Sequence, residues 1–116
     1  MLIGIQGTRS FSDYGIFLRA MGTALSSMST SDKKFYIYST GPSSLNSMAH
    51  EFCNVSERSL KARGIRVRVI KVPPKWIKEN ILDIDYFIYF SKPKEPVSDL
   101  VDYAESKDVD IGIYRY

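Results

Sequence analysis

Among 116 residues there is one cysteine, one histidine and one tryptophan. A lone Cys53 excludes an intramolecular disulfide, so nothing covalent staples the fold. It falls in a helical pattern, where it reads as a small buried apolar residue, and an unpaired thiol suits a reducing cytoplasm. One His, one Cys and no clustered ligands argue against a structural zinc site, and neither metal nor cofactor is expected. No apolar run approaches the ~18 residues of a membrane span. The N-terminus lacks the charged and apolar regions of a signal peptide. From these absences a cytoplasmic protein away from membranes is expected. There is also no tract of like charges: the net charge of +3 and pI near 9.0 are spread along the chain. That balance permits nucleotides or nucleic acid as partners without selecting either.

What is present is an ordinary globular composition, 44% hydrophobic and 25% charged, over a length that fits one domain, residues 1–116. Leu2 to Gln6 reads as a buried strand. Ser12 or Asp13 can cap a following helix whose apolar stripe is Ile16, Phe17, Ala20, Met21, Ala24, Leu25 and Met28. Phe35 to Tyr38 reads as a second strand. The turn Ser39 to Ser44 then opens a second helix, capped by Ser43 or Ser44 and stopping at Gly64, a left-handed C′ candidate. In the third strand, Ile65 to Val72, apolar Ile65, Val67 and Val69 alternate against basic Arg66, Arg68 and Lys71. This describes an edge strand whose cations serve solubility and edge protection. Pro73-Pro74 ends it, and Lys75 to Ile81 reads as a short helix in which Trp76 packs over the sheet edge. Asp85 to Phe90 is the most apolar run and therefore central. Val97, Leu100, Val101 and Ala104 mark a last helix, and Asp110 to Tyr114 a last strand.

Strands alternating with helices predict an α/β fold, a Rossmann-like, doubly wound, parallel five-stranded sheet of order 3-2-1-4-5. Ligands of such sheets bind beyond the carboxyl ends of the strands. Three turns are expected to meet there: Gly7 to Phe11, Thr40 to Ser44, and Ser91 to Glu95. A strand that ends at a turn and re-enters a helix presents backbone N–H groups and a helix dipole to an anion. Arg9 adds a fork suited to phosphate. The candidate binding residues are Gly7, Thr8, Arg9, Ser10, Gly41, Ser43, Ser44, Asn46 and Lys92. No catalytic residue is named.

Gly7-Thr8-Arg9-Ser10-Phe11, followed by Asp13-Tyr14, resembles the strand–Gly-Ser/Thr-Arg–aromatic opening of the SLOG superfamily and its small YspA-like members. Thr40-Gly41-Pro42-Ser43-Ser44-Leu45-Asn46 resembles that family's Gly-rich turn before a helix. Arg63 to Val67 and Trp76 are similar too. The resemblance implies a Rossmann-like nucleotide-binding domain with ligand contacts at Gly7, Thr8, Arg9, Gly41, Ser43 and Ser44. Related proteins cleave the N-glycosidic bond of nucleoside monophosphates, and a DNA-processing branch binds single-stranded DNA. The chain departs from the pattern at Thr40 and Ser44, where glycines are usual, and at Asn46, where Asp is frequent. It also lacks the hydrolases' Gly-Gly-x-Gly-Thr turn and following Glu. Glu95 and Asp99 do not match that position, and a glycosidase needs a placed acid or base. The leading expectation is therefore binding of a nucleotide or nucleotide derivative, for sensing or sequestering. Kept beside it are an N-glycosidase, single-stranded DNA binding through Arg66, Arg68, Lys75 and Lys92, and a structural or partner-binding domain. The small size is compatible with a homo-oligomer.

Overall fold

A computed structural model describes residues 1–116. Strand β1 (Leu2–Gly7) leads into helix α1 (Tyr14–Ser26), β2 (Lys34–Ser39) into α2 (Ser43–Ala62), and β3 (Arg66–Lys71) into α3 (Pro74–Glu79). A single 3-10 turn (Ile81–Asp83) precedes β4 (Tyr86–Ser91), which is followed by α4 (Asp99–Ser106) and β5 (Asp110–Arg115). All neighbouring strands are parallel, in the order β3-β2-β1-β4-β5. This is the expected Rossmann-like arrangement. The centre goes to β1 and β4 because their residues are apolar on both faces: Ile3, Ile5, Phe87, Ile88 and Phe90 are all fully buried.

Alternation along the strands divides the interior into two cores. On one face Ile3, Ile5, Phe35, Ile37, Ile88 and Phe90 pack under Phe17, Met21, Leu45 and Phe52 of α1 and α2. On the other, Tyr38, Phe87 and Tyr89 pack under Ile77, Leu100, Val101 and Ala104 of α3 and α4. The two faces are unequally covered. Helices of 13 and 20 residues shield the first, but only 6 and 8 residues shield the second. The second face is therefore left open where β2 and β3 begin. Gly4 makes the thin layer possible. A β-carbon there would stand 2.9 Å from Phe87 Cδ1 and 3.2 Å from Ile77 Cδ1.

Helix ends follow local chemistry. Asp13 caps α1, its carboxylate accepting from the Ile16 amide at 3.0 Å. α2 ends in a Schellman motif: Ile65 N–H donates to Leu60 C=O at 2.8 Å and Gly64 N–H to Lys61 C=O at 2.9 Å. Gly64 there has φ +77°, a conformation that glycine adopts without a side-chain penalty. Trp76 stacks on Tyr38 with ring centres 4.5 Å apart, over the sheet rather than in solvent. No helix is long and apolar enough to cross a membrane.

Several expectations are corrected. Neither Ser43 nor Ser44 caps α2. Pro42 occupies the N-cap, no side chain caps the helix, and both serines are already helical. Lys71 does not share a face with Arg66 and Arg68. It is an odd number of residues from them, so Ile70 takes that face and packs on the second core. Cys53 is half-buried rather than enclosed. Burial, and then the nearby Glu57 carboxylate, push its thiol above the ordinary range. The strand assignments shift by one residue at their ends.

Candidate functional site

The turns after β1, β2 and β4 all leave the same end of the sheet, because the strands are parallel and adjacent. Backbone bonds tie them together: Thr8 N–H donates to Phe90 C=O at 2.9 Å, and Thr40 N–H to Ile5 C=O at 3.1 Å. Arg9 and Lys92 thus emerge from neighbouring strand ends. Both are exposed, and neither pairs with a carboxylate. Lys94 follows on the same loop, with φ +69°.

Most of the hydroxyls at this rim are already engaged by the protein. Thr8 Oγ1 meets the Tyr116 hydroxyl, which Ser10 Oγ also reaches at 2.9 Å. Ser44 Oγ donates to Phe11 C=O at 2.7 Å, joining the first turn to the start of α2. Thr40 Oγ1 donates to Ile5 C=O at 2.9 Å. Asn46 points inward, its side-chain oxygen accepting from the buried Ser39 hydroxyl. Arg115 holds the loop after β4, donating to Ser91 Oγ and to the carbonyls of Lys92 and Glu95, each at 3.0 Å. Of the candidate residues, therefore, Thr8, Ser10, Ser44 and Asn46 fix the rim with their side chains. Arg9, Ser43 and Lys92 keep theirs free.

What faces outward is backbone and cation. The amides of Ser43 and Ser44 begin α2 without an acceptor, since Pro42 has no capping side chain. Gly41, at φ +95°, lets the chain reverse before them, and a β-carbon there would meet nothing within 4 Å. Gly7 lies below the rim, packed against Phe90 and Leu45. Phe11 is fully buried and stacks on Phe90 at 4.5 Å, so the first turn is anchored from beneath. Chemically the rim offers uncapped helix amides and two unpaired cations, a combination suited to an oxyanion.

Compared with protein-family models, curated proteins and solved structures, the chain matches none. Concavities of the surface lie away from this rim, as in an open one of about 520 Å³ among Asp32, Lys33, Lys34, Tyr36 and Arg66 where β2 and β3 begin. Another, of about 510 Å³, is lined by Leu2, Lys34, Trp76, Leu82 and Asp85. Arg66 and Arg68 belong to that end, whereas Lys75 and Lys92 lie beyond the opposite strand ends, so the four do not form one surface.

Lys34 and Tyr36 were not candidates from the sequence, although a signal existed. From Arg58 to Lys78 there is no Asp or Glu, and this stretch holds eight of the sixteen Lys and Arg residues. The cations are interleaved with apolar residues, so they never form a visible tract. The fold places Arg66, Arg68 and Lys71 on β3, the edge strand, and the rest on α2 and α3 or at their ends.

His50 is exposed on α2, and no group of His, Cys, Asp and Glu side chains is positioned to hold a metal ion. The tyrosines differ from one another. Burial, and then Tyr114, push Tyr86 up to about 12, whereas a donating interaction from Arg66, with Arg68 beside it, lowers Tyr36 against the opposing effect of burial.

Proposed function

We propose that the protein binds a nucleotide or nucleotide-derived phosphate at the carboxyl rim of the sheet, as a sensor or sequestering protein. The observation that carries this reading is the pairing of the uncapped α2 amides of Ser43 and Ser44 with the unpaired side chains of Arg9 and Lys92. Phosphate oxygens accept from helix N-terminal amides and from guanidinium forks, and the helix dipole adds to both. The position also agrees with the general placement of ligands in open α/β sheets. The resemblance of Gly7 to Phe11 and Thr40 to Asn46 to the SLOG turns supports the same reading. Here the phosphate is held by backbone and cations, because Thr8, Ser10, Ser44 and Asn46 use their side chains to shape the rim.

Calorimetry with a panel of nucleoside mono- and diphosphates tests it. The expected result is binding that Arg9→Ala weakens by about tenfold or more, the loss of one charge-assisted contact. Absence of binding at about millimolar ligand, or binding indifferent to Arg9→Ala, overturns it.

A further inference from the structure

At the end of the sheet opposite the rim, the β2–β3 register pairs Lys34 with Arg66 and Tyr36 with Arg68. Alternation puts all four on the face that α3 and α4 leave open. Lys34 Nζ stands 5.5 Å and Arg68 Cζ 5.8 Å from the centre of the Tyr36 ring. Arg66, paired with Lys34 next along the same face, is the first cause that lowers the Tyr36 hydroxyl below its ordinary range. Three cations therefore crowd one half-buried tyrosine.

No carboxylate oxygen comes within 4.0 Å of any of them. Three acids lie near without pairing: Asp32 lines the concavity beside the cluster, and Asp83 and Asp85 line the one that shares Lys34. Asp32 accepts from the Ser29 amide at 3.0 Å and lies 3.8 Å from the Met1 ammonium, and Asp85 accepts from the Leu2 amide at 2.7 Å. Like charges gathered without a paired carboxylate repel, and the acid-free stretch from Arg58 to Lys78 strengthens the positive field around them. Beside the cluster opens a concavity of about 520 Å³, with Met1, Asp32, Lys33, Lys34, Tyr36 and Arg66 in its wall and Arg68 just outside it, across Tyr36. That volume is within the range of small-ligand sites.

We propose that this corner is a second anion site, taking a small molecule with two linked phosphate groups. Arg66 and Arg68 present planar forks to phosphoryl oxygens, Lys34 and Lys33 supply point charges, and Tyr36 forms the floor. A single carboxylate would leave most of the positive charge uncompensated, whereas a pyrophosphate group meets several cations at once. The site shares no residue with the rim.

Calorimetry of the full chain with inorganic pyrophosphate, at about 50 mM salt to limit screening, is the test. In an Arg9→Ala/Lys92→Ala background, which removes the cations of the rim, binding is expected to persist and to be weakened by about tenfold or more by Arg66→Ala and by Arg68→Ala. Both arginines are exposed, so their removal leaves the core intact, which circular dichroism verifies. Bound pyrophosphate should also raise the alkaline titration midpoint of one tyrosine, a shift absent in Tyr36→Phe. Three results overturn the proposal: no binding at about millimolar pyrophosphate; binding lost in Arg9→Ala but kept in Arg66→Ala; or a single-stranded oligonucleotide that binds this face and is not displaced by pyrophosphate, which would mark a polymer surface instead. Failure of nucleotide binding at the rim leaves the arginine variants here still informative.

Discussion

The amide of Thr8 donates to the carbonyl of Phe90 at 2.9 Å, one residue beyond the paired positions Gly7 and Phe90. That bond fixes the first turn to the end of β4, so Arg9 and Lys92 rise from strands about 4.8 Å apart. Cations on two such adjacent turns are placed to act on one bound anion together. Arg9→Ala and Lys92→Ala should each weaken phosphate binding, and the double variant should show a coupling of about 0.5–3 kcal/mol. A calorimetric double-mutant cycle measures it; strictly additive losses would mean that the two side chains serve different groups.

Ser43 should contribute through its backbone. Proline is tolerated at the first helical position, where its missing N–H has no intrahelical acceptor. Pro42 before it, at φ −70° and ψ 179°, already has the extended conformation required of a residue preceding proline. Ser43→Pro is expected to keep the melting temperature while weakening the anion, whereas Ser43→Ala changes neither. Equal affinity in Ser43→Pro and wild type would remove the amide from the site.

The adjacent serine has the opposite profile. Ser44 Oγ donates to Phe11 C=O at 2.7 Å in a half-buried setting. Ser44→Ala should cost about 1 kcal/mol of stability and leave ligand affinity unchanged. Denaturant melts and calorimetry on the same preparation separate the two effects.

Alkaline pH should loosen the sheet between β4 and β5. Tyr86 is raised from 10.0 to about 12, by burial first and then by Tyr114. The native state therefore holds a proton that the unfolded chain releases above pH 10. Stability from this group is complete below that point and falls as pH rises towards about 12. The urea midpoint should decline over this window, and less steeply in Tyr86→Phe. An equally steep decline in that variant would assign the effect to other groups.

Gly112 makes room for the same tyrosine. A β-carbon on residue 112 would collide with the Tyr86 hydroxyl and stand 3.2 Å from Tyr114 Cε1. Gly112→Ala should destabilise by about 1–3 kcal/mol through overpacking. The cost should shrink in a Tyr86→Phe background, where the hydroxyl is gone. An undiminished cost would locate the strain in the backbone.

The fold was legible because its elements carry local signals. Asp13 before an apolar stripe, Gly64 after Lys61 and Arg63, and the uninterrupted Tyr86 to Phe90 run each specify one element through chemistry within a few residues. The rim was legible only in outline. Its location followed from parallel topology, but the role of each hydroxyl did not. Ser44 is joined to Phe11 across 33 residues and Thr8 to Tyr116 across 108, separations at which sequence spacing carries no directional information. The second charged corner escaped notice because Lys34 and Arg66 become neighbours only when β2 and β3 pair.

The sequence by itself determined the elements, their alternation, and hence a parallel sheet with β1 and β4 inside, since periodic burial and end-capping are short-range properties. Tertiary structure decided which polar groups remain available. A hydroxyl or guanidinium is free or engaged according to what a distant segment brings to within about 3 Å of it, and that is set by strand register and helix packing rather than by its neighbours in the chain.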